Sequence, residues 1–322
     1  MEKKDLRIVF FGTPEFAVES LRRLVEGGYN IVGVVTMPDK PAGRGHHMYQ
    51  SDVKRYALQQ GLHLMQPVKL KDEEFVEELR NLHADLQIVI AFRMLPEVVW
   101  AMPRLGTFNL HASLLPKYRG AAPINWAVMN GDTETGVTTF FLKHEIDTGD
   151  IIEQRKVAIG RHDNVGDVHD RLMLLGASMV IDTVESILNG TVKTTPQAQM
   201  LTAGEQPTPA PKIFKDTCHI DWSRPAEALY NHVRGLSPYP AAWTTIVDAT
   251  GKEHSTKVYA TGEPEPKPES ERPGTITSDG RRMWVACGDG RLEIKQLQVA
   301  GKKSMPTDAF LRGFRIEGAH CN

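Results

Sequence analysis

Residues 7–36 read R-I-V-F-F-G-T-P-E-F-A-V-E-S-L-R-R-L-V-E-G-G-Y-N-I-V-G-V-V-T, and this stretch decides the fold. Arg7 to Gly12 is a short β-rich run that stops at glycine. The next residues have helical spacing: Phe16, Leu21, Leu24 and Val25 share one face, with Pro14 near the first turn. Gly27 and Gly28 end that helix, and 31–36 is a second strand. Further strands are expected at 86–91, 107–111 and 137–142, with helices near 52–60, 72–81 and 121–130. Strands alternating with helices predict an α/β fold: a doubly wound, mainly parallel, Rossmann-like sheet covered on both faces. A long amphipathic helix over 165–188 carries Val168, Leu172, Leu175 and Met179 and stops at Asn189-Gly190.

After that helix the composition changes. Residues 191–211 contain T-P-Q-A-Q-M-L-T-A-G-E-Q-P-T-P-A-P, without a sustained period and with several prolines, and read as an extended linker. Beyond it, D-W-S-R-P-A-E-A-L-Y-N-H-V-R from Asp221 opens like a capped helix. Short β-type runs follow at 242–247, 256–260, 274–277, 283–287 and 292–299. They predict a small OB-like β-barrel as a C-terminal domain, with 263–271 as a solvated loop. The expected division is therefore 1–190, a linker over 191–211, and 212–322.

The chain of 322 residues is long enough for two such domains. With 38 basic and 40 acidic residues it is no polycation, so any nucleic-acid contact must come from local patches. Cys218, Cys287 and Cys321 are far apart and odd in number, which argues against a disulfide framework or a zinc site and suits a reducing compartment. The early apolar run, Ile8 to Phe11, is too short for a secretory signal, and a membrane span needs ~20 apolar residues. A cytoplasmic protein with no membrane partner is expected.

Asn109 to Pro123 reads N-L-H-A-S-L-L-P-K-Y-R-G-A-A-P, and Asp147 stands in I-D-T-G-D. Asn109 and His111 alternate around Leu110, so on a strand both side chains point the same way. They sit near the end of the strand where open α/β sheets bind ligands. An amide, an imidazole and a carboxylate can supply an oxyanion donor, a proton-transfer group and an orienting anion. Attack of an amine on a carbonyl carbon, through a tetrahedral intermediate, requires those three. At the first turn, Pro14 replaces the second glycine of a dinucleotide fingerprint, which argues against a nucleotide cofactor. The loop M-P-D-K-P-A-G-R-G-H-H-M-Y-Q-S-D-V-K from Met37 holds Lys40, Arg44, His46, His47 and Lys54. It suits either a phosphate-rich partner or plain solvent. Adjacent His46 and His47 are poorly disposed to share a metal, and none is expected. In the second domain, Arg281-Arg282 and Lys302-Lys303 give the barrel basic rims compatible with RNA binding.

The chain resembles the methionyl-tRNA formyltransferase family along nearly its whole length. The resemblance is carried by I-V-F-F-G-T-P-E-F-A from Ile8, P-D-K-P-A-G-R-G from Pro38, M-P-R-L-G-T-F-N-L-H-A-S-L-L-P-K-Y-R-G-A-A-P-I from Met102, G-D-T-E-T-G-V-T from Gly131, I-D-T-G-D from Ile146, and A-G-K-K-S-M from Ala300. It implies transfer of a formyl group from 10-formyltetrahydrofolate to the methionine of initiator methionyl-tRNA; a monomer is expected. By motif position it implies Asn109, His111 and Asp147 as the catalytic trio, with Asp147 orienting His111. It also implies Ser113, Leu114, Leu115 and Pro116 as the folate-binding segment. Arg44 matches the loop arginine that reaches the tRNA, and Lys40, Lys212, Lys302 and Lys303 are expected beside it on the tRNA-binding surfaces. Two stretches depart from the pattern: I-A-F-R-M-L-P from Ile90 is one residue shorter and lacks a glycine, and Lys143-His144-Glu145 stands where the family often has Glu-Gly. The rival readings are a formyltransferase for glycinamide ribonucleotide or an amino sugar nucleotide, and a non-catalytic tRNA-binding protein.

Overall fold

The computed structural model describes residues 2–42, 47–201 and 206–322. It forms two compact units that are not consecutive stretches of chain. One comprises Met1–Gly120, Thr135–Val157 and His169–Pro209; the other comprises Ala121–Glu134, Ala158–Val168 and Ala210–Asn322.

The first unit is built on a seven-stranded sheet. Its strands lie in the order Ile151–Ala158, Glu134–Phe141, Thr107–His111, Leu86–Ile90, Arg7–Gly12, Asn30–Val35 and Leu64–Met65. The five from Thr107–His111 to Leu64–Met65 run parallel to their neighbours. Glu134–Phe141 joins antiparallel, with Asn109 opposite Phe140 and His111 opposite Thr138. This is the expected mainly parallel, doubly wound sheet. Val9 and Phe11 enter one hydrophobic cluster while Ile8 and Phe10 are fully buried as well, which is why R-I-V-F-F reads as an unbroken apolar run. The order reverses at Arg7–Gly12, whose two neighbours come from different directions along the chain. The crevice at such a reversal, outside the carboxyl ends of the strands, is where this architecture binds ligands.

The helix Val165–Leu188 has the span expected of it. A Cβ at Gly176 would lie 2.7 Å from Leu110 Cδ2, so the glycine marks a close approach of the helix to the strand. Leu110 thus faces the helix, and the alternation of a strand sends Asn109 and His111 to the other face.

The second unit is an antiparallel sheet ordered Ile276–Ser278, Met283–Ala286, Arg291–Val299, Glu253–Thr261, Ala242–Val247 and His320–Cys321. Its ends meet: Thr275 bridges His320, and the Cys321 N–H donates to Gly274 O at 2.8 Å. The result is a small closed barrel around Trp222, Ile246, Val285, Ile294 and Leu297. The helices Ala226–Leu236 and Pro123–Met129 pack together here. Asn125 Nδ2 donates to Gly235 O (2.9 Å) and Trp126 Nε1 to Pro211 O (2.8 Å), which explains why Ala121–Glu134 belongs to this unit. The 263–271 loop is less free than its composition implies, since Glu263 pairs with Arg161 and Glu265 with Arg291. All three cysteines are buried and free. No helix among the described residues is long and apolar enough to cross a membrane.

The described residues of 191–211 include a short 3-10 turn, Gln197–Met200, and they are not a free tether. Thr195 exchanges two backbone hydrogen bonds with Ile151, both 2.8 Å, and the Arg119 N–H donates to Thr208 O at 2.9 Å. Gln197 is 3% exposed.

Candidate active site

Asn109 is half-buried at the middle of the strand Thr107–His111, and its amide has no hydrogen-bonding partner among the described residues. Two residues on, His111 is 7% exposed. Its Nε2 lies 2.8 Å from Tyr118 O. A carbonyl oxygen only accepts, so the hydrogen of the neutral ring resides on Nε2. Nδ1 is left as the nitrogen that can exchange a proton, and it faces Asp147 Oδ2 at 4.0 Å.

That distance is in ion-pair range but too long for a hydrogen bond. The Tyr118 carbonyl holds the ring's hydrogen bond, and Asp147 stands at ion-pair distance from Nδ1. Asp147 is itself held elsewhere: its Oδ2 accepts the Gly120 N–H at 3.0 Å. The two loops that meet at His111 both carry unusual backbone. Tyr118 has φ +60° and Asp147 φ +53°, left-handed conformations that ordinary residues adopt only when their surroundings impose them. At Gly149 a Cβ would sit 1.6 Å from Phe141 O, so the I-D-T-G-D turn folds back tightly on the preceding strand. Ahead of it, Lys143 Nζ reaches Asp150 Oδ1 (2.8 Å), and Ile146 is exposed. The I-A-F-R-M-L-P segment also bends at a left-handed residue, Ala91, with φ +47°.

The segment Ser113–Pro116 is a pinned wall. Ser113 is fully buried and its Oγ donates to Lys117 O at 2.6 Å. Thr138 Oγ1 donates to Ser113 O (2.6 Å) and accepts from the Leu115 N–H (3.2 Å), while Gln154 Nε2 donates to Leu115 O (2.8 Å). Leu115 and Pro116 are buried, and only Leu114 of the four is half-exposed.

The basic residues are dispersed. Lys40 is exposed on a two-strand hairpin, Lys40–Ala42 with His47–Tyr49, whereas Arg44 lies outside the described residues. Lys54 is committed to the protein: it donates to Asp39 Oδ2 (2.6 Å) and Gln66 Oε1 (3.0 Å), and these partners hold the Asp39 carboxyl below its usual range. In the second unit, Lys302 and Lys303 are exposed just after Arg291–Val299. Lys212 lies 5.6 Å over the Phe214 ring and Lys215 lies 5.2 Å over the Trp243 ring. Phe214 is 62% exposed. The run K-I-F-K, an aromatic between lysines, was the available sign of this surface, and the sequence reading used only Lys212 from it. It also missed Tyr118, Gly120 and Gln197, whose parts are played by backbone or by an amide in a stretch without period. No three His, Cys, Asp or Glu side chains among the described residues are grouped as a metal site.

Known proteins agree with this architecture. The Formyl transferase family model matches residues 6–184, and the Formyl transferase, C-terminal domain model matches residues 212–315. A methionyl-tRNA formyltransferase of Bacteroides fragilis is 61% identical over 320 residues, covering 99% of this chain and 98% of the relative. That of Bacteroides thetaiotaomicron is 60% identical over 323 residues, covering 99% of each. Among solved structures, an N-formyltransferase from Helicobacter canadensis, in complex with folinic acid and dTDP-3-aminofucose, superposes with a TM-score of 0.65 at 19% identity. The match covers 92% of this chain and 100% of that one, and at such low identity it speaks for the fold alone. Two domain models in the right order and relatives about 60% identical end to end lead to one conclusion: the chain belongs to the methionyl-tRNA formyltransferase family.

Proposed function

We propose that this chain transfers the formyl group of 10-formyltetrahydrofolate to the α-amino group of methionine on initiator methionyl-tRNA, acting as a cytoplasmic monomer. The observation that carries this reading is the arrangement at the end of Thr107–His111. There an unpartnered amide lies on the same strand face as an imidazole whose Nδ1 is free and looks at a carboxylate 4.0 Å away. The half-buried Asn109 amide fits a carbonyl-bearing donor, because an amide with no partner among the described residues can hydrogen-bond the formyl oxygen.

The donor supplies an activated one-carbon unit. Asn109 Nδ2 donates to the formyl oxygen as negative charge develops there, a contact worth roughly 3–4 kcal/mol when removed. His111 moves the proton at Nδ1, its ring held in plane by Tyr118 O. Asp147, anchored by the Gly120 N–H, keeps a negative charge beside the ring when it is cationic. The pinned Ser113–Pro116 segment walls the donor, meeting it through Leu114 and main chain since Ser113, Leu115 and Pro116 are buried. In this reading 1–190 carries the chemistry, and 212–322 holds the tRNA after the 191–211 segment. Arg44 and Lys40 reach the tRNA from the first part, and Lys212, Lys302 and Lys303 from the second.

The test is to incubate the protein with 10-formyltetrahydrofolate and either initiator or elongator methionyl-tRNA. Formylmethionine is expected on the initiator alone, and His111→Ala is expected to lower turnover at least ~100-fold while leaving tRNA affinity nearly unchanged. Transfer to an amino sugar nucleotide in place of the tRNA, or near-normal turnover by His111→Ala, would overturn the reading.

A further inference from the structure

The side chain of Gln197 lies within the 191–211 segment yet reaches the turn that carries Asp147. Its Nε2 donates to Asp147 O at 2.8 Å and to Gly149 O at 2.9 Å. Its Oε1 accepts from Arg119 Nη2 at 2.7 Å and from Arg119 Nε at 3.2 Å. A primary amide has two donors and two lone pairs, and here all four are used. The two carbonyls flank Thr148 in the turn where Asp147 is left-handed. Arg119 directly precedes Gly120, the residue whose N–H holds the Asp147 carboxylate, and directly follows Tyr118, the residue whose carbonyl orients His111. One buried side chain therefore joins the backbone of the loop that carries Asp147 to the loop that supports both His111 and Asp147.

We infer that Gln197 is a positioning residue for the transfer reaction, clamping the 147–149 turn to the 118–120 loop so that the Asp147 carboxylate keeps its place beside His111. Thr195 and Thr208, on either side of Gln197, are tied by backbone hydrogen bonds to Ile151 and Arg119. Only glutamine serves: glutamate could accept from Arg119, but its carboxylate has no hydrogen to give two carbonyl oxygens and would repel them. The kinetic consequence rests on the function proposed above; the mechanical one does not.

Gln197→Glu and Gln197→Met preserve length and bulk while removing the two donations. Each is expected to lower kcat about 10- to 100-fold, the scale of a misplacement of about 1 Å. KM for the folate donor and for methionyl-tRNA should stay within about threefold, since Gln197 acts through Asp147. Amide hydrogen exchange should quicken at Gly120 and across 143–150, and should stay unchanged in the strand Leu86–Ile90. The inference is overturned if kcat stays within about twofold, if exchange at Gly120 is unaltered, or if both variants lose protection in Leu86–Ile90, which would make Gln197 a folding residue. Should the unmodified protein transfer no formyl group, the proposed function fails, while the exchange experiment still judges the clamp.

Discussion

A backbone carbonyl decides which nitrogen of His111 can do chemistry. Because Tyr118 O accepts from Nε2, proton exchange is confined to Nδ1, on the side of Asp147. Asn109 is different in kind: its amide has no partner among the described residues, so hydrogen bonding to a reacting oxygen displaces none of their contacts. Asn109→Ala is accordingly expected to lower kcat about 100-fold with donor binding within about threefold, because the lost bond strengthens only as charge develops. A change confined to KM would remove Asn109 from that role. At this scale the sequence exposes the proposed reacting groups and hides their supports. Period-two spacing around Leu110 puts Asn109 and His111 on one face before any coordinates are known. Nothing in the letters marks Tyr118 or Asp147 as left-handed, or reveals that Asp147 is held by a main-chain N–H rather than by the imidazole.

Elements whose register is set by apolar burial were legible: the β-α-β opening and the helix Val165–Leu188 stand where their periodicity puts them. The strand Ile151–Ala158 escaped because I-I-E-Q-R-K-V-A, half-buried for most of its length at the sheet edge, has no clean alternation. The ties at Thr195, Gln197 and Thr208 escaped for a related reason, since hydrogen bonds of this kind leave no period. The helix Ala226–Leu236 shows the opposite extreme, with nine of its residues buried, including polar His232. Burial, reinforced by nearby Arg224, pushes His232 down from 6.5 to about 4, and its Nε2 has no partner among the described residues. Between those two values the unfolded chain binds a proton that the folded chain does not. The stability is thus fully present above pH 6.5 and drains as the pH falls toward 4, by roughly 3 kcal/mol in all. Urea unfolding across that window should show the loss, and His232→Leu should flatten it relative to the unmodified protein. Parallel profiles for the two would mean that other groups set the acid sensitivity.

Over the whole molecule the formal charge is only −2, so attraction for a polyanion cannot come from net charge. Affinity for tRNA has to be assembled from local surfaces of two physical kinds. The Lys212–Lys215 run couples cations to aromatic faces, with Phe214 62% exposed and Lys212 over its ring. An exposed ring of this sort offers a face on which a base can stack, a contact worth about 1–3 kcal/mol that releases no counterion. In the proposed function Arg44 and Lys40 instead meet phosphate, where each ion pair formed releases roughly one bound cation. The two kinds separate in a salt titration. Phe214→Ala should weaken tRNA binding about tenfold at every salt concentration, leaving the slope of log K against log salt unchanged. Arg44→Ala should reduce that slope by about one and spare binding of the folate donor. If the Arg44 variant keeps its slope, the loop does not touch phosphate. If the Phe214 variant binds normally, the ring is an ordinary exposed hydrophobic, and recognition by the second unit must come from lysines such as Lys302 and Lys303.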